Sequence, residues 1–161
     1  MGAPLQAWQA RVRTPFAVLG IAANDTHVTG VRYLAPGIEA MAPKKNTVAY
    51  LACVQIQAYL EDPAFVFDLP LKLSGTHHRV QVWEAMQKIA AGKTRTYGEL
   101  AKELGSSPRA VGGACGANPL PLIVPCHRIV AASDIGGFMG RREEGFERSI
   151  KRWLLEHEGA L

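Results

Sequence analysis

The chain has 161 residues, a formal net charge of +4, 48% hydrophobic and 20% charged residues, the composition of a globule able to bury a core in one domain or two small ones. No run approaches the about 20 apolar residues of a membrane span, and the N-terminus lacks a signal-peptide pattern. Three cysteines, Cys53, Cys115 and Cys126, show neither disulfide nor zinc spacing, so reduced thiols, no metal and a cytoplasmic setting are expected.

Residues 1–13 read as an untethered lead-in. Thr14 to Ile21 and His27 to Leu34 read as two strands, with Ala23-Asn24-Asp25-Thr26 supplying turn chemistry for a hairpin. Ala35 to Asn46, with two prolines and a glycine, is loop. Thr47 to Leu60 carries apolar residues at helical period, with Cys53 inside that pattern as a core residue. Phe65 to Leu69 reads as an edge strand ended by Pro70. Strands, helix and strand make a small α+β unit over 1–75. It carries no recognisable chemistry and is expected to act as a scaffold.

The second unit, 76–161, opens with Thr76 as a helix N-cap and a stripe of Val80, Trp83, Met86, Ile89 and Ala90 ended by Gly92. His77 and His78 are neighbours that cannot share a helix face, so they read as surface residues. Thr96-Tyr97-Gly98-Glu99 fits a capping box, and the helix it starts stops at Gly105. Ser106-Ser107 can cap again, with Pro108 at the first helical position. Two short helices joined by about three residues form a helix-turn-helix pattern.

The second of these helices is unusual. Residues 108–117 hold three glycines and three alanines, and each interior glycine lowers helix stability by about 0.5–1 kcal/mol. Either the helix packs tightly inside the protein, or its bare face must approach a partner closely. Arg109 favours the second reading. One long side chain on a smooth face suits a narrow groove and insertion between base pairs better than major-groove readout. The charge agrees without demanding it: residues 76–161 hold twelve Lys/Arg against nine Asp/Glu, residues 1–75 six against five.

Next comes Leu120-Pro121-Leu122-Ile123-Val124-Pro125-Cys126-His127-Arg128-Ile129-Val130. The prolines stiffen an apolar stretch that centres on one thiol, one imidazole and one guanidinium. A thiol beside cations can be held as nucleophilic thiolate. A buried structural cysteine is the plainer reading of Cys-His alone, and the surrounding motifs overturn it. Gly136 to Gly140 reads as a flexible loop whose backbone N–H groups could face a ligand. Phe146, Ile150, Trp153, Leu154 and His157 mark a last helix from about 144, and Glu156 or Glu158 at its end invites a cationic partner.

Together these residues resemble the O6-alkylguanine-DNA alkyltransferases. The resemblance rests on Pro-Cys-His-Arg within 121–129, Thr96 to Ala101, Arg109 to Ala114, Asn118-Pro119 and Trp153 to Gly159, and spans about 76–159. It implies an α+β fold with a ribonuclease-H-like N-terminal domain (1–75) and a mostly helical C-terminal domain (76–161) that binds DNA and transfers the alkyl group. The implied partner is double-stranded DNA carrying O6-alkylguanine. A monomer able to assemble cooperatively is expected to bind it in the minor groove with little sequence readout. No membrane and no cofactor are implied.

The resemblance also implies roles. Thr96, Tyr97, Gly98, Arg109, Ala110, Gly112 and Gly113 contact DNA, with Arg109 filling the gap left by a flipped-out guanine and Tyr97 assisting its rotation. Cys126 is the nucleophile, and His127 its base through a bridging water. Glu158 orients His127, Asn118 braces the network, and Tyr97 donates to a ring nitrogen of the leaving guanine. Pro121, Ile129, Met139, Gly140 and Cys115 line the alkylbase pocket, with the Ile129 carbonyl on the exocyclic amine. The product is an S-alkyl cysteine, so the protein acts once; O4-alkylthymine is a second implied substrate. Gly116 replaces a basic residue of some relatives, and Phe138-Met139 a tyrosine-containing version. No cysteine-rich zinc segment precedes the module, so a fused activator is not expected.

Three rivals have less support. A cysteine hydrolase leaves the helix pair unexplained and lacks an oxyanion-donor pattern. A plain helix-turn-helix binder leaves Pro-Cys-His-Arg unexplained. Lesion sensors of this family replace the nucleophile, whereas Cys126 is present.

Overall fold

The structure, a computed structural model, describes residues 8–161 and divides into two compact units, Met1–Leu73 and Ser74–Leu161. In the first, β1 (Ala10–Arg13), β2 (Val18–Ala23) and β3 (Val28–Leu34) form an antiparallel sheet in that order. β1 lies within the expected lead-in, whose residues 1–7 fall outside the described residues. Ala10 and Val12 turn inward between Arg11 and Arg13, the period of a half-buried strand. Trp8 packs so closely on Gly20 that a Cβ there would sit 2.8 Å from the indole.

Residues 14–17, expected to open the first strand of the hairpin, form the turn before β2. The Thr14 hydroxyl accepts from the Ala17 N–H at 3.0 Å and donates to its carbonyl at 2.6 Å. The hairpin turn uses Asn24, whose Oδ1 accepts from the backbone of Thr26 and His27. Thr47 caps α1 (Val48–Glu61), accepting from Tyr50 N–H at 3.1 Å. Ala49, Ala52, Ile56 and Tyr59 face the sheet, while Cys53 is only half-buried rather than core.

The stretch 65–69 is not a strand. Its residues alternate inward and outward, but the Gln55 side chain brackets Asp68, donating to its carbonyl at 2.9 Å and accepting from its N–H at 2.8 Å. That amide satisfies backbone groups a ladder would have used. Pairing occurs later, where Val28 bonds Pro70 O at 2.7 Å and Lys72 N at 3.0 Å.

The second unit holds α2 (His77–Met86), β4 (Arg95–Thr96), α3 (Tyr97–Leu104), α4 (Pro108–Gly116), β5 (Ile129–Val130) and α5 (Phe146–His157). Thr76 caps α2, which buries Val82, Trp83 and Met86. The helix ends at Met86, short of the expected Gly92. Lys88 and Ile89 bond three residues back instead of four, which tightens the end, and Ala90 is exposed. Trp83 Nε1 donates to Ala114 O at 2.8 Å and pins α2 to α4. His77 is exposed as expected. His78 is half-buried, its Nε2 2.7 Å from the Ser106 hydroxyl.

Helices α3 and α4 are joined by Gly105-Ser106-Ser107, with Gly105 at φ 64°. The capping box is complete: Thr96 Oγ1 accepts from Glu99 N–H at 3.0 Å, and Glu99 Oε1 from Thr96 N–H at 2.9 Å. Ser107 caps α4.

Candidate active site and nucleic-acid interface

The segment leading to the thiol is held in a conformation its residues would not choose. Leu122 is buried at φ 75°, where a branched side chain is strained. Asn118 compensates: its Oδ1 accepts from Leu120 N–H at 2.9 Å and its Nδ2 donates to Val124 O at 2.8 Å. Pro125, at φ −81° and ψ 67°, then makes an inverse γ-turn closed by Cys126 N–H to Val124 O at 2.8 Å. A single 3-10 turn, Cys126–Arg128, delivers thiol, imidazole and guanidinium in three different directions. Parallel pairing of β4 with β5, Arg95 to Ile129 and Thr96 to Val130, brings Tyr97 beside this turn.

His127 is fully buried. Its Nε2 lies 2.7 Å from Glu158 Oε2. Its Nδ1 is also buried and has no partner among the described residues. Arg128 holds the same carboxylate with Nε on Oε1 at 2.9 Å and Nη2 on Oε2 at 3.0 Å, and its Nη1 donates to Ile89 O at 2.6 Å. Glu158 sits just past the last turn of α5, where exposed carbonyls repel a carboxylate. Arg128 offsets that repulsion. Burial holds His127 below the usual imidazole range, although Glu158 opposes the shift. The neutral ring therefore presents Nε2–H to Glu158 and a basic Nδ1 lone pair.

Cys126 is 2% exposed, and burial pushes its thiol up to about 11 despite an Asn118 hydrogen bond and the nearby Lys151 charge. At neutral pH the resting sulfur is thus protonated rather than a standing thiolate, so it must lose its proton during reaction. A cavity of about 990 Å3 reaches it, lined also by Tyr97, Arg109, Cys115, Met139 and Gly140. Tyr97 is pushed well above the usual phenol range, first by burial and then by the two cysteines, so it stays a hydrogen-bond donor. Its hydroxyl donates weakly to Gly137 O at 3.4 Å. Burial also raises Cys115. Pro121 and Ile129 are buried but do not line the cavity.

Lys151, absent from the expected site, is fully buried in α5. Its Nζ donates to Ile129 O at 2.6 Å and Gly137 O at 2.8 Å and lies 5.8 Å from the Tyr97 ring centroid. Burial lowers it to about 8, opposed by the two cysteines. The inward stripe of α5 is Ile150, Lys151, Leu154 and Leu155, continued by Glu158. Trp153 and His157, taken from the sequence as part of that stripe, stack on each other at 4.8 Å and are half-buried. A lysine three and four residues before two leucines and seven before Glu158 shares their helix face, but does not by itself mark that face as inward. Ile129 O, expected to meet a base, accepts from this lysine.

Along α4, Arg109 and Ala110 are exposed, Gly112 half-buried, and Gly113 and Gly116 exposed. A Cβ on Gly113 would meet nothing within 4 Å, and one on Gly112 only the Tyr97 ring at 4.0 Å. Internal packing therefore does not require these glycines, which disposes of one of the two explanations open from sequence. Thr96 and Gly98 stand at the start of α3. No helix among the described residues is long and apolar enough to cross a membrane, and among them no cluster of three His, Cys, Asp or Glu could hold a metal.

A buried Cys-His-Glu set whose cysteine opens into a cavity beside a bare helix face has the parts that thiol-based group transfer with a macromolecule would use. The family model described as 6-O-methylguanine DNA methyltransferase, DNA binding domain, matches residues 77–160. A "DNA base-flipping protein" of Thermus thermophilus is 42% identical over 137 residues, 82% of this chain and 88% of the relative. A "Methylated-DNA--protein-cysteine methyltransferase" of Mycolicibacterium paratuberculosis is 36% identical over 141 residues, 82% of this chain and 86% of the relative. Crystal structures of the Mycobacterium tuberculosis O6-methylguanine methyltransferase, and of OGT from the same organism in complex with DNA, give TM-scores of 0.78 and 0.76 at 34% identity, covering 93% of this chain and 91% of theirs. The chain belongs to the 6-O-methylguanine DNA methyltransferase family, enzymes of DNA repair that act on DNA.

Proposed function

We propose that the chain removes alkyl groups from O6 of guanine in double-stranded DNA by a single, irreversible transfer to Cys126, with O4-alkylthymine a second substrate. The unit from Ser74 on carries both DNA binding and transfer, and the first unit is a scaffold. The bare face of α4 lies in the minor groove with little sequence readout, Arg109 fills the stack, and the lesion rotates into the cavity. Extrusion is needed because O6 of a stacked base is out of reach of a buried thiol.

In the transfer the Cys126 proton passes through a water to His127 Nδ1, and the sulfur attacks the alkyl carbon as the C–O6 bond breaks. The electrons of that bond leave with guanine, which gains a proton at a ring nitrogen from the Tyr97 phenol. The phenol recovers its proton from the pool that the thiol filled, so the net proton moves from sulfur to base. Glu158, held by Arg128, stabilises the transient imidazolium. Lys151 offers a nearby positive charge while the sulfur is anionic.

One observation carries this reading: the cavity joins Cys126 to Arg109 and to glycines whose missing side chains no internal contact explains. The name of the Thermus relative favours a second reading, base flipping without transfer. Incubation with duplex DNA carrying O6-methylguanine, followed by intact-mass and peptide analysis, separates the two. The expected gain is one methyl on the Cys126 peptide, absent in Cys126→Ser, which still binds. Binding with no gain in the unaltered protein would sink the transfer.

A further inference from the structure

The cavity has a charged lip that the transfer chemistry does not use. Arg141 and Arg142 line it, both exposed, and Arg109 lines it from α4. The two arginines leave a tight turn in which Phe138 N–H bonds Arg141 O at 2.7 Å and Arg141 N–H bonds Phe138 O at 2.9 Å. Met139 and Gly140 at its tip have φ of 50° and 80°, the geometry of a two-residue hairpin turn. This turn abuts α4, since a Cβ on Gly116 would lie 3.5 Å from Gly140 N and Cα. The loop expected from its glycines to be flexible is therefore a built turn against the bare helix.

The acids around the lip are mostly engaged. Glu144 pairs with Arg148 and lies 3.7 Å from Arg152, and Asp134 Oδ1 accepts from Gly136 N–H at 2.7 Å. Glu143 accepts from the Arg142 backbone N–H at 3.2 Å and reaches the Arg141 guanidinium only at 3.8 Å. Arg142 has no carboxylate partner among the described residues. A neutral, flipped base, with only uncharged ring acceptors, offers these two guanidiniums no anion to pair with. The phosphodiesters on either side of it do, because they travel with the sugar to the cavity mouth and match a planar guanidinium.

We propose that Arg141 and Arg142 clamp the backbone phosphates flanking the extruded nucleotide, a DNA contact separate from the α3–α4 face. The proposal rests on the reading that the lesion enters this cavity. It is tested by comparing Arg141→Gln/Arg142→Gln with Arg141→Lys/Arg142→Lys.

In a Cys126→Ser background, affinity for a duplex carrying O6-methylguanine is measured against salt. Each lost phosphate contact lowers the slope of log affinity against log salt by about 0.9, so the glutamine pair lowers it by about 0.9–1.8 while the lysine pair retains most of it. With Cys126 intact, the glutamine pair slows transfer from subsaturating duplex at least about fivefold more than transfer from free O6-benzylguanine base. A slope unchanged within about 0.3, or equal losses on duplex and free base, would overturn the clamp and leave the transfer standing. Failure of the unaltered protein to transfer from either substrate would overturn both.

Discussion

Helices α4 and α5 serve one site through opposite departures from a stable helix. α5 turns Lys151 inward and ends at buried Glu158, so each polar group there needs a partner within the fold. α4 turns Arg109 and two bare glycines outward, and the space beside Gly113 is empty. Buried charge without its partner is a folding defect, visible in the isolated protein. Exposed backbone without a partner is nearly silent until that partner arrives. Substitutions on the two helices should therefore separate by assay.

The largest effect is expected at Arg128. Arg128→Met leaves Glu158 with a single neutral histidine at the wrong end of a helix, the situation of a buried pair with one member removed. Such losses run to about 3–5 kcal/mol, or roughly 6–20 °C in melting temperature for a chain of this size. Thermal unfolding without DNA measures it. A melting point within about 2 °C of the parent would break the comparison, since buried charge on α5 would then carry no stability.

Glu158→Gln comes next, because it keeps shape but removes the charge and turns one accepting oxygen into an amide donor facing the donors of Arg128 and His127. Transfer from free O6-benzylguanine should fall about 10–100-fold, and the acid limb of its rate profile should move to lower pH, because Glu158 is what raises His127 against burial. Only the neutral ring can take the thiol proton. In the parent that limb belongs below the ordinary histidine value of 6.5, since burial dominates. The unfolded chain also binds this proton first as pH falls through 6.5, so stability should decline there too. A parental limb above 6.5, or an unmoved limb in the variant, would remove Glu158 from its role.

How much of this could be read from the chain follows from sequence distance. Thr76, Thr96-Glu99 and Ser107 were legible as caps because a cap acts on residues two or three away. Cys126, His127 and Arg128 were legible because one 3-10 turn delivers all three. Glu158 was reached only through resemblance and the general expectation that a carboxylate at a helix end needs a cation; its partner lies 30 residues away. Lys151 carries no such signal: a stripe drawn through the apolar residues Phe146, Ile150, Trp153 and Leu154 runs one position away from the buried one, and a lysine does not by itself mark an inward face. β1 carried its alternation over just four residues, too few to rise above a lead-in. At 65–69 the alternation was real, but a glutamine side chain took the place of the ladder.

The smallest effect is the most discriminating. Gly113→Ala adds a methyl where nothing lies within 4 Å and where alanine is the better helix former. The free protein should gain about 0.5–1 kcal/mol, a rise of about 1–4 °C. DNA affinity should move the other way, falling about tenfold or about 1.4 kcal/mol, because the methyl holds the helix off the groove floor. A lowered melting point would return the glycines to internal packing. A raised melting point with unchanged affinity would leave α4 with no external reason for its bareness, and would move the DNA surface elsewhere on this unit.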